Sequence, residues 1–250
     1  MVQFTRRNFV SSVGAAVIAP AAAVAVAPEG TVPGRENSAP AAAARDAAPL
    51  YLFFNAAEAR FIEAACERLI PADEAGPGAL GAGVPNYLDK QLAGAWGAGE
   101  RLYRSGPWQP GTPSQGYQLP FTPAELFHTA LRAINRDLEK RGAAFADLAA
   151  DAQDNYLKSL ETGTSDLDGV PAAVFFDMLL KMTVEGFFSD PVYGGNRDMV
   201  AWRMIGFPGA YADYYQAIDQ QGVQYQRVPM SLAEDRSGHL HPDPNIPAQL

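Results

Sequence analysis

Side chains that commonly do chemistry in proteins are scarce in this chain of 250 residues, which has one cysteine and three histidines. His128 follows Phe127 in a helical pattern, which favours a half-buried structural histidine. His239 and His241 lie two residues apart in an extended segment, where they could bind a metal ion weakly but are usually solvated. We therefore predict no metal site.

Sequence motifs for nucleotides, iron–sulfur clusters and covalent haem are missing from the chain. There is no Walker-type phosphate loop, no strand-linked G-x-G-x-x-G sequence and no C-x-x-C pair. Acid pairs such as Asp73 with Glu74, or Asp166 with Asp168, lie in turn-like sequence, where carboxylates commonly cap the backbone or face solvent. We therefore expect no catalytic residue and no cofactor in this chain.

The densest group of distinctive residues is a glycine-rich turn over residues 186–198, followed by a Gly-Phe-Pro-Gly sequence at 206–209. Its Asp-Pro and Gly-Gly-Asn sequences favour tight turns with unusual backbone angles. Tyrosine, tryptophan and arginine on such a turn are typical of protein interfaces, although a substrate pocket or a well-packed turn between helices also fits. The candidate partner-contact residues are Asp190, Pro191, Tyr193, Gly194, Gly195, Asn196, Arg197 and Trp202.

Helical patterns surround this turn and must position it. Five segments carry apolar residues at helical spacing, and they begin at Asn55, Gly83, Thr122, Phe145 and Pro171. The first and third begin with residues typical of capping boxes, and we expect the fourth to be a helix from 145 to 160. Few segments alternate in the manner of strands. The sequence therefore predicts a mainly α-helical fold, a single compact helical domain over residues 50–222 with long loops.

Two segments outside the helices are also distinctive. Residues 97–121 read as one long loop in which glycine, proline and glutamine alternate with aromatic residues, and such loops are usually functional or packed on another surface. Residues 223–250 read as an extended proline-rich C-terminal tail with too little apolar content to fold alone. We expect the tail to be either loose or laid along another surface.

The first 27 residues have the pattern of a twin-arginine export signal. Arg6 and Arg7 precede Phe9 and an uncharged stretch that ends in small residues suited to cleavage. A membrane anchor is disfavoured because the apolar run is short and Pro20 interrupts it. The sequence predicts a signal peptide over 1–27, a disordered Ala/Pro-rich linker over 28–49, and a periplasmic protein.

Charge and cysteine content limit the partners of the exported chain. The net charge is −9, which argues against nucleic acid and anionic membrane as partners. The single cysteine, Cys66, lies near the inner face of the first predicted helix. It is either a buried, unreactive thiol or, in an oxidising compartment, a half of an interchain disulfide.

Several of these sequences together resemble the gluconate 2-dehydrogenase subunit 3 family over roughly residues 50–215. The resemblance rests on the leader, on the glycine-rich turn and on four shorter sequences. These are Arg68-Leu69-Ile70-Pro71-Ala72-Asp73, Gly76-Pro77-Gly78, Ala82-Gly83-Val84, and Trp202 with Gly206-Phe207-Pro208-Gly209.

The resemblance implies a non-catalytic small subunit of a periplasmic dehydrogenase for a sugar, polyol or sugar acid. In that family a large subunit carries FAD, and a multihaem cytochrome c subunit, where present, accepts the electrons. The small subunit is thought to assist maturation of the large subunit and its transport through the twin-arginine translocon. The alternative is a stand-alone exported protein that binds a sugar or uses an unrecognised redox cofactor.

Overall fold

The computed structural model describes residues 50–109, 111–211, 219–222 and 227–232. Within this part of the chain, the fold has six α-helices and a single two-stranded hairpin, which confirms the predicted mainly α-helical class. The helices are α1 (Ala56–Leu69), α2 (Val84–Ala93), α3 (Pro123–Lys140), α4 (Ala150–Thr162), α5 (Ala172–Phe188) and α6 (Val200–Ile205). The hairpin pairs β1 (Asp166–Leu167) with β2 (Val170–Pro171).

The predicted leader, the linker and most of the C-terminal tail lie outside the described residues, as do His239 and His241. Within the described part, no helix combines the length and the apolar character needed to cross a bilayer.

Both predicted capping boxes are present. The Asn55 side chain accepts hydrogen bonds from the backbone N–H groups of Ala57 and Glu58 at 3.0 Å, and the Asn55 N–H donates to the Glu58 carboxylate. At the start of α3, the Thr122 N–H donates to Glu125 at 2.7 Å. This backbone hydrogen bond lowers the pKa of Glu125. Local sequence thus determines where these two helices begin.

Four phenylalanines form the centre of the core, where α1, α3 and α5 meet the turn before α4. Phe61 lies 4.7 Å from Phe145 and 6.4 Å from Phe175, and the Phe127 ring lies 5.3 Å from that of Phe175, measured between ring centroids. All four are almost fully buried. Rings at these separations attract one another in addition to the apolar area they bury.

The predicted helix from 145 to 160 is wrong in its first turn. Phe145–Asp147 forms a short 3₁₀ turn, and α4 begins only at Ala150. The extended backbone at Leu148 and Ala149 separates the two. Phe145 enters the core from the 3₁₀ turn, and the buried Gln153 side chain donates to its carbonyl at 3.0 Å. Core packing of Phe145 therefore outweighs the helical spacing of its neighbours.

Asp89, a buried carboxylate on α2, attaches the chain before α1 to the domain. It accepts hydrogen bonds from three consecutive backbone N–H groups, those of Leu52 and Phe53 at 2.8 Å and that of Phe54 at 3.1 Å. The carboxylate is 1% exposed, so these three donors replace the water it loses.

Candidate functional site

The glycine-rich turn connects α5 to α6 and packs against the start of α2. The Asn86 side chain on α2 donates to the Gly194 carbonyl at 2.9 Å, and the Arg197 N–H donates to the Ala82 carbonyl at 2.9 Å. These bonds join positions more than a hundred residues apart in the chain. The turn is therefore held by the tertiary fold as well as by its own sequence.

Two glycines are required in the turn for different reasons. Gly194 has a φ of +98°, and a Cβ there would lie 2.6 Å from the Asn86 side-chain nitrogen. A Cβ on Gly195 would collide with the backbone carbonyl oxygen of Gly186, which a helix holds rigidly. The first position needs left-handed backbone and the second needs close approach of two backbones.

Asn196 organises the second half of the turn from a fully buried position. Its side chain donates to the Ser189 carbonyl at 2.9 Å and accepts from the Ala201 N–H at 2.9 Å. Asn196, Asp198 and Met199 all have positive φ, between +44° and +56°. Non-glycine residues seldom adopt this conformation, so the surrounding structure must compensate its cost.

Trp202 on α6 closes the other side of the turn. Its indole N–H donates to the Phe188 carbonyl at the end of α5 at 2.8 Å, and its ring meets the Phe207 ring edge-on at 5.0 Å. The side chain is almost completely buried. Trp202 therefore fixes the angle between α5 and α6 and has little surface left for a partner.

Asp190 connects the turn to a distant segment, residues 227–232, which we call the C-terminal strap. Its carboxylate accepts from the Val192 N–H at 3.0 Å, as expected of a turn cap, and also from Ser231 Oγ at 2.5 Å and the Leu232 N–H at 2.8 Å. The Met230 carbonyl accepts from the Ala210 N–H at 2.7 Å. The strap therefore lies along the surface of the turn.

The predicted site residues thus divide into two groups. Asp190, Gly195, Asn196 and Trp202 are buried and build the turn, and Pro191 and Gly194 are half-buried. Tyr193 and Arg197 are exposed, so they are the two members that can meet another molecule directly. Sequence analysis missed Ser231, because a contact across 41 residues leaves no local pattern.

Most of the chain, including the glycine-rich turn, matches the model of a known protein family. The model of gluconate 2-dehydrogenase subunit 3 matches residues 56–209, more than half of the chain, and the match includes α1 to α6 and the whole turn. The chain belongs to the gluconate 2-dehydrogenase subunit 3 family. A search of curated proteins finds no match, and neither does a search of solved structures.

Cys66 of this subunit 3 chain lies in the core on α1. The thiol is fully buried, its Sγ is 3.5 Å from the Thr183 hydroxyl on α5, and burial raises its pKa to about 12. At neutral pH it is therefore a protonated thiol. This environment favours the buried-thiol interpretation, since an interchain disulfide would require α1 to separate from α5.

His128 is part of a structural cluster, as predicted. Its Nδ1 lies 3.0 Å from a carboxylate oxygen of the buried Glu58, and its ring stacks on Phe53 at 4.0 Å. Because Asp89 holds the backbone of Phe53, this cluster and Asp89 together attach the segment before α1 to α2 and α3.

Two cavities in the described part of the subunit are small. One of about 70 Å³ lies within the 97–121 loop, and one of about 170 Å³ lies between α1, α3 and the 145–147 turn. Pockets that bind drug-sized ligands usually measure about 300 to 1,000 Å³. The described residues also contain no group of three or more metal-ligating side chains.

Proposed function

We propose that this chain is the non-catalytic small subunit of a periplasmic, FAD-dependent dehydrogenase that oxidises a sugar, a polyol or a sugar acid. The observation that carries the proposal is the family match over residues 56–209. It extends through every described helix and through the glycine-rich turn, so it concerns the helical part of the domain.

FAD belongs, in this proposal, to a separate large subunit. Neither of the two cavities described above, of about 70 and 170 Å³, has the volume of a dinucleotide pocket. A multihaem cytochrome c is the further partner that would carry electrons away. The small subunit contributes surface to this complex and leaves the redox chemistry to its partners.

The small subunit also assists maturation of the large subunit and carries it through the twin-arginine translocon. Arg6, Arg7 and Phe9 form the signal that supports this part of the proposal. A route that transports folded proteins allows one leader to export two chains, provided that the complex forms before transport.

The glycine-rich turn is the proposed contact with the large subunit. Asp190, Gly195, Asn196 and Trp202 shape it from inside, whereas Tyr193 and Arg197 face outwards. Tyrosine and arginine on a rigid backbone are common anchors of protein interfaces, because little conformational freedom is lost when they bind.

The decisive experiment is purification of the C-terminally tagged chain from its native host, followed by an absorbance spectrum and mass identification. We expect a larger chain in stoichiometric amount with a flavin spectrum, and dye reduction then identifies the substrate. A colourless chain that is recovered alone would contradict the proposal and favour a stand-alone exported sugar-binding or redox protein.

Export is tested separately with an Arg6→Lys, Arg7→Lys double variant. We expect both this chain and the flavin-containing chain to remain in the cytoplasm, because a lysine pair replaces the paired guanidinium groups of the signal. If the large chain still reaches the periplasm, it is exported independently of this leader.

A further inference from the structure

Five exposed apolar side chains lie on the glycine-rich turn, the end of α6 with the residues after it, and the C-terminal strap. Tyr193, Ile205, Phe207, Val228 and Leu232 are all large, apolar and between 42% and 74% exposed. They come from three short segments that are separate in sequence. Clusters of exposed apolar residues on soluble proteins commonly mark interaction sites.

Hydrogen bonds hold these three segments side by side. Asp190 binds Leu232 of the strap, the Met230 N–H donates to the Pro208 carbonyl at 3.3 Å, and the Tyr211 hydroxyl donates to the Val228 carbonyl at 2.8 Å. The Phe207 N–H donates to the Trp202 carbonyl at 2.8 Å. The apolar residues are therefore presented on a fixed backbone.

The charge of these segments differs from that of the whole chain. Over residues 190–211 and 227–232 the exposed charged residues are three arginines, Arg197, Arg203 and Arg227, and one acid, Asp198. The formal charges of these four residues sum to +2, whereas the net charge of the whole chain is −9. The guanidinium of Arg227 lies over the Tyr211 ring at 4.8 Å. Apolar side chains together with an excess of exposed arginine fit a partner whose contact surface is apolar and acidic.

We propose that the surface formed by Tyr193, Ile205, Phe207, Val228, Leu232 and the three arginines is the docking site for the FAD-containing large subunit. The inference rests on the proposed function and adds to it the place of contact and the chemistry of the partner surface. The strap belongs to the interface, and Asp190 is a positioning residue that attaches the strap to the turn.

The test measures the Kd between the full exported chain and the flavin-containing chain purified as above. Leu232→Ser and Tyr193→Ala each weaken binding about tenfold or more, as expected of anchor residues. Matched controls are Leu52→Ser and Tyr103→Ala, because these side chains are 78% and 79% exposed on other parts of the surface. The controls leave the Kd within about twofold of the original value.

Charge complementarity is tested by salt and by charge reversal. Binding weakens as ionic strength rises, and Arg203→Glu weakens it more at low salt than at high salt. Arg132→Glu, an exposed arginine on α3, is the matched control and has little effect. An affinity that does not respond to Arg203→Glu or to salt would remove the argument for an acidic partner surface.

The role of the strap is tested with Ser231→Ala, which removes one hydrogen bond to Asp190 and leaves the turn cap in place. We expect weaker binding of the large subunit and faster protease cleavage near residue 231, with a nearly unchanged Tm. Asp190→Ala has a larger effect on binding, and its circular dichroism spectrum shows whether the domain remains folded. Unchanged binding by both variants would exclude the strap from the interface.

The possible failures can be told apart. If the wild-type chain retains the large subunit and the surface variants do so equally well, the docking site is wrong while the proposed function stands. If the wild-type chain retains no flavin-containing chain, both fall. If the surface variants lose binding to vesicles of phosphatidylethanolamine and phosphatidylglycerol but bind the large subunit as the wild type does, the surface binds a membrane instead. If the surface variants change the sedimentation of this chain in the absence of the large subunit, the surface binds a second copy of the chain.

Discussion

The glycine-rich turn and the aromatic loop at 97–121 look alike in sequence, but the structure holds them in different ways. In the turn, side-chain bonds connect Asn86 with Gly194, and Asp190 with Ser231, across 108 and 41 positions. In the described residues of the loop, side-chain hydrogen bonds join positions two to four apart, such as Thr112 with Gln115. Glycine and aromatic content alone therefore does not indicate how a connection is stabilised.

The turn and the loop also differ in how they present their exposed side chains. A turn supported by bonds to α2, α5 and the strap presents Tyr193 and Arg197 in one arrangement. The loop presents Tyr103, which is 79% exposed, on a segment whose side-chain hydrogen bonds stay within the loop. A fixed backbone loses less entropy on binding, so the turn is better suited than the loop to the proposed interface. Substitutions of the same kind in both regions test whether the turn is the more constrained.

The largest expected effect is that of Gly195→Ala. The added methyl group meets the Gly186 carbonyl oxygen, and neither backbone can move without disturbing α5 or Asn196. We expect a loss of about 4 kcal/mol in the free energy of unfolding, measured by urea denaturation. Gly116→Ala in the loop is the control: its φ is +71° and no heavy atom lies within 4 Å of the new Cβ, so it costs only about 1 kcal/mol. Equal losses in the two variants would mean that the turn is no more constrained than the loop.

Asn196→Ala should have the next largest effect. It leaves the Ser189 carbonyl and the Ala201 N–H without their side-chain partner inside the core, and it keeps a non-glycine residue at positive φ. Unpaired buried polar groups cost about 1 to 3 kcal/mol each, so we expect about 3 kcal/mol in total by thermal or urea denaturation. Gln118→Ala removes an amide of the loop that is exposed, and it should change stability by about 0.5 kcal/mol or less. A small effect at Asn196 would show that water can replace its bonds.

The contrast between Asn55 and Asn196 shows how much of the structure the sequence could predict. The capping box at Asn55 was predictable because its partner, Glu58, lies three positions away. The role of Asn196 depends on Ser189 and Ala201 being brought together by α5 and α6, which a local pattern does not encode. The turn could therefore be located from its sequence, but the division into buried and exposed members could not.

The same reasoning explains what sequence analysis missed. Asp89 is the single acid of α2, and its binding of three N–H groups at 52–54 depends on a chain segment 35 to 37 positions earlier. The spacing of Phe145 predicts a helical residue, yet Phe145 lies in a separate 3₁₀ turn, where its ring packs against Phe61. Where long-range packing competes with local periodicity, the packing determines the structure.

Trp202→Phe should have an intermediate effect. The smaller ring leaves a gap beside Phe207, and the Phe188 carbonyl loses its indole donor. We expect a loss of about 2 kcal/mol, measured as a fall in Tm or in the urea midpoint. Trp108→Phe in the loop is the matched substitution, and because Trp108 is only half-buried we expect about 0.5 kcal/mol. A larger effect at Trp108 would show that the loop is packed more tightly than its hydrogen bonds suggest.

The smallest of the four principal effects should come from Tyr117→Phe, which removes a hydrogen bond within the loop. The Tyr117 hydroxyl donates to the Phe121 carbonyl at 2.7 Å, and burial, followed by the charge of Glu125, raises its pKa from 10.0 to about 12. Because the folded state binds this proton more tightly than the unfolded state, the contribution is complete below the ordinary pKa of tyrosine and is lost as pH rises towards 12. We expect a loss of about 1 kcal/mol at neutral pH.

Limited proteolysis distinguishes a local loosening of the loop from a global loss of stability. Tyr117→Phe should raise cleavage between residues 97 and 121 at neutral pH, while the glycine-rich turn stays protected and the affinity for the large subunit is unchanged. In the wild-type chain, raising the pH from 10 towards 12 should also raise cleavage of the loop, because ionised Tyr117 can no longer donate to Phe121. If the turn becomes sensitive together with the loop, the two regions unfold as one cooperative unit. The difference in their hydrogen bonding would then not separate them in stability.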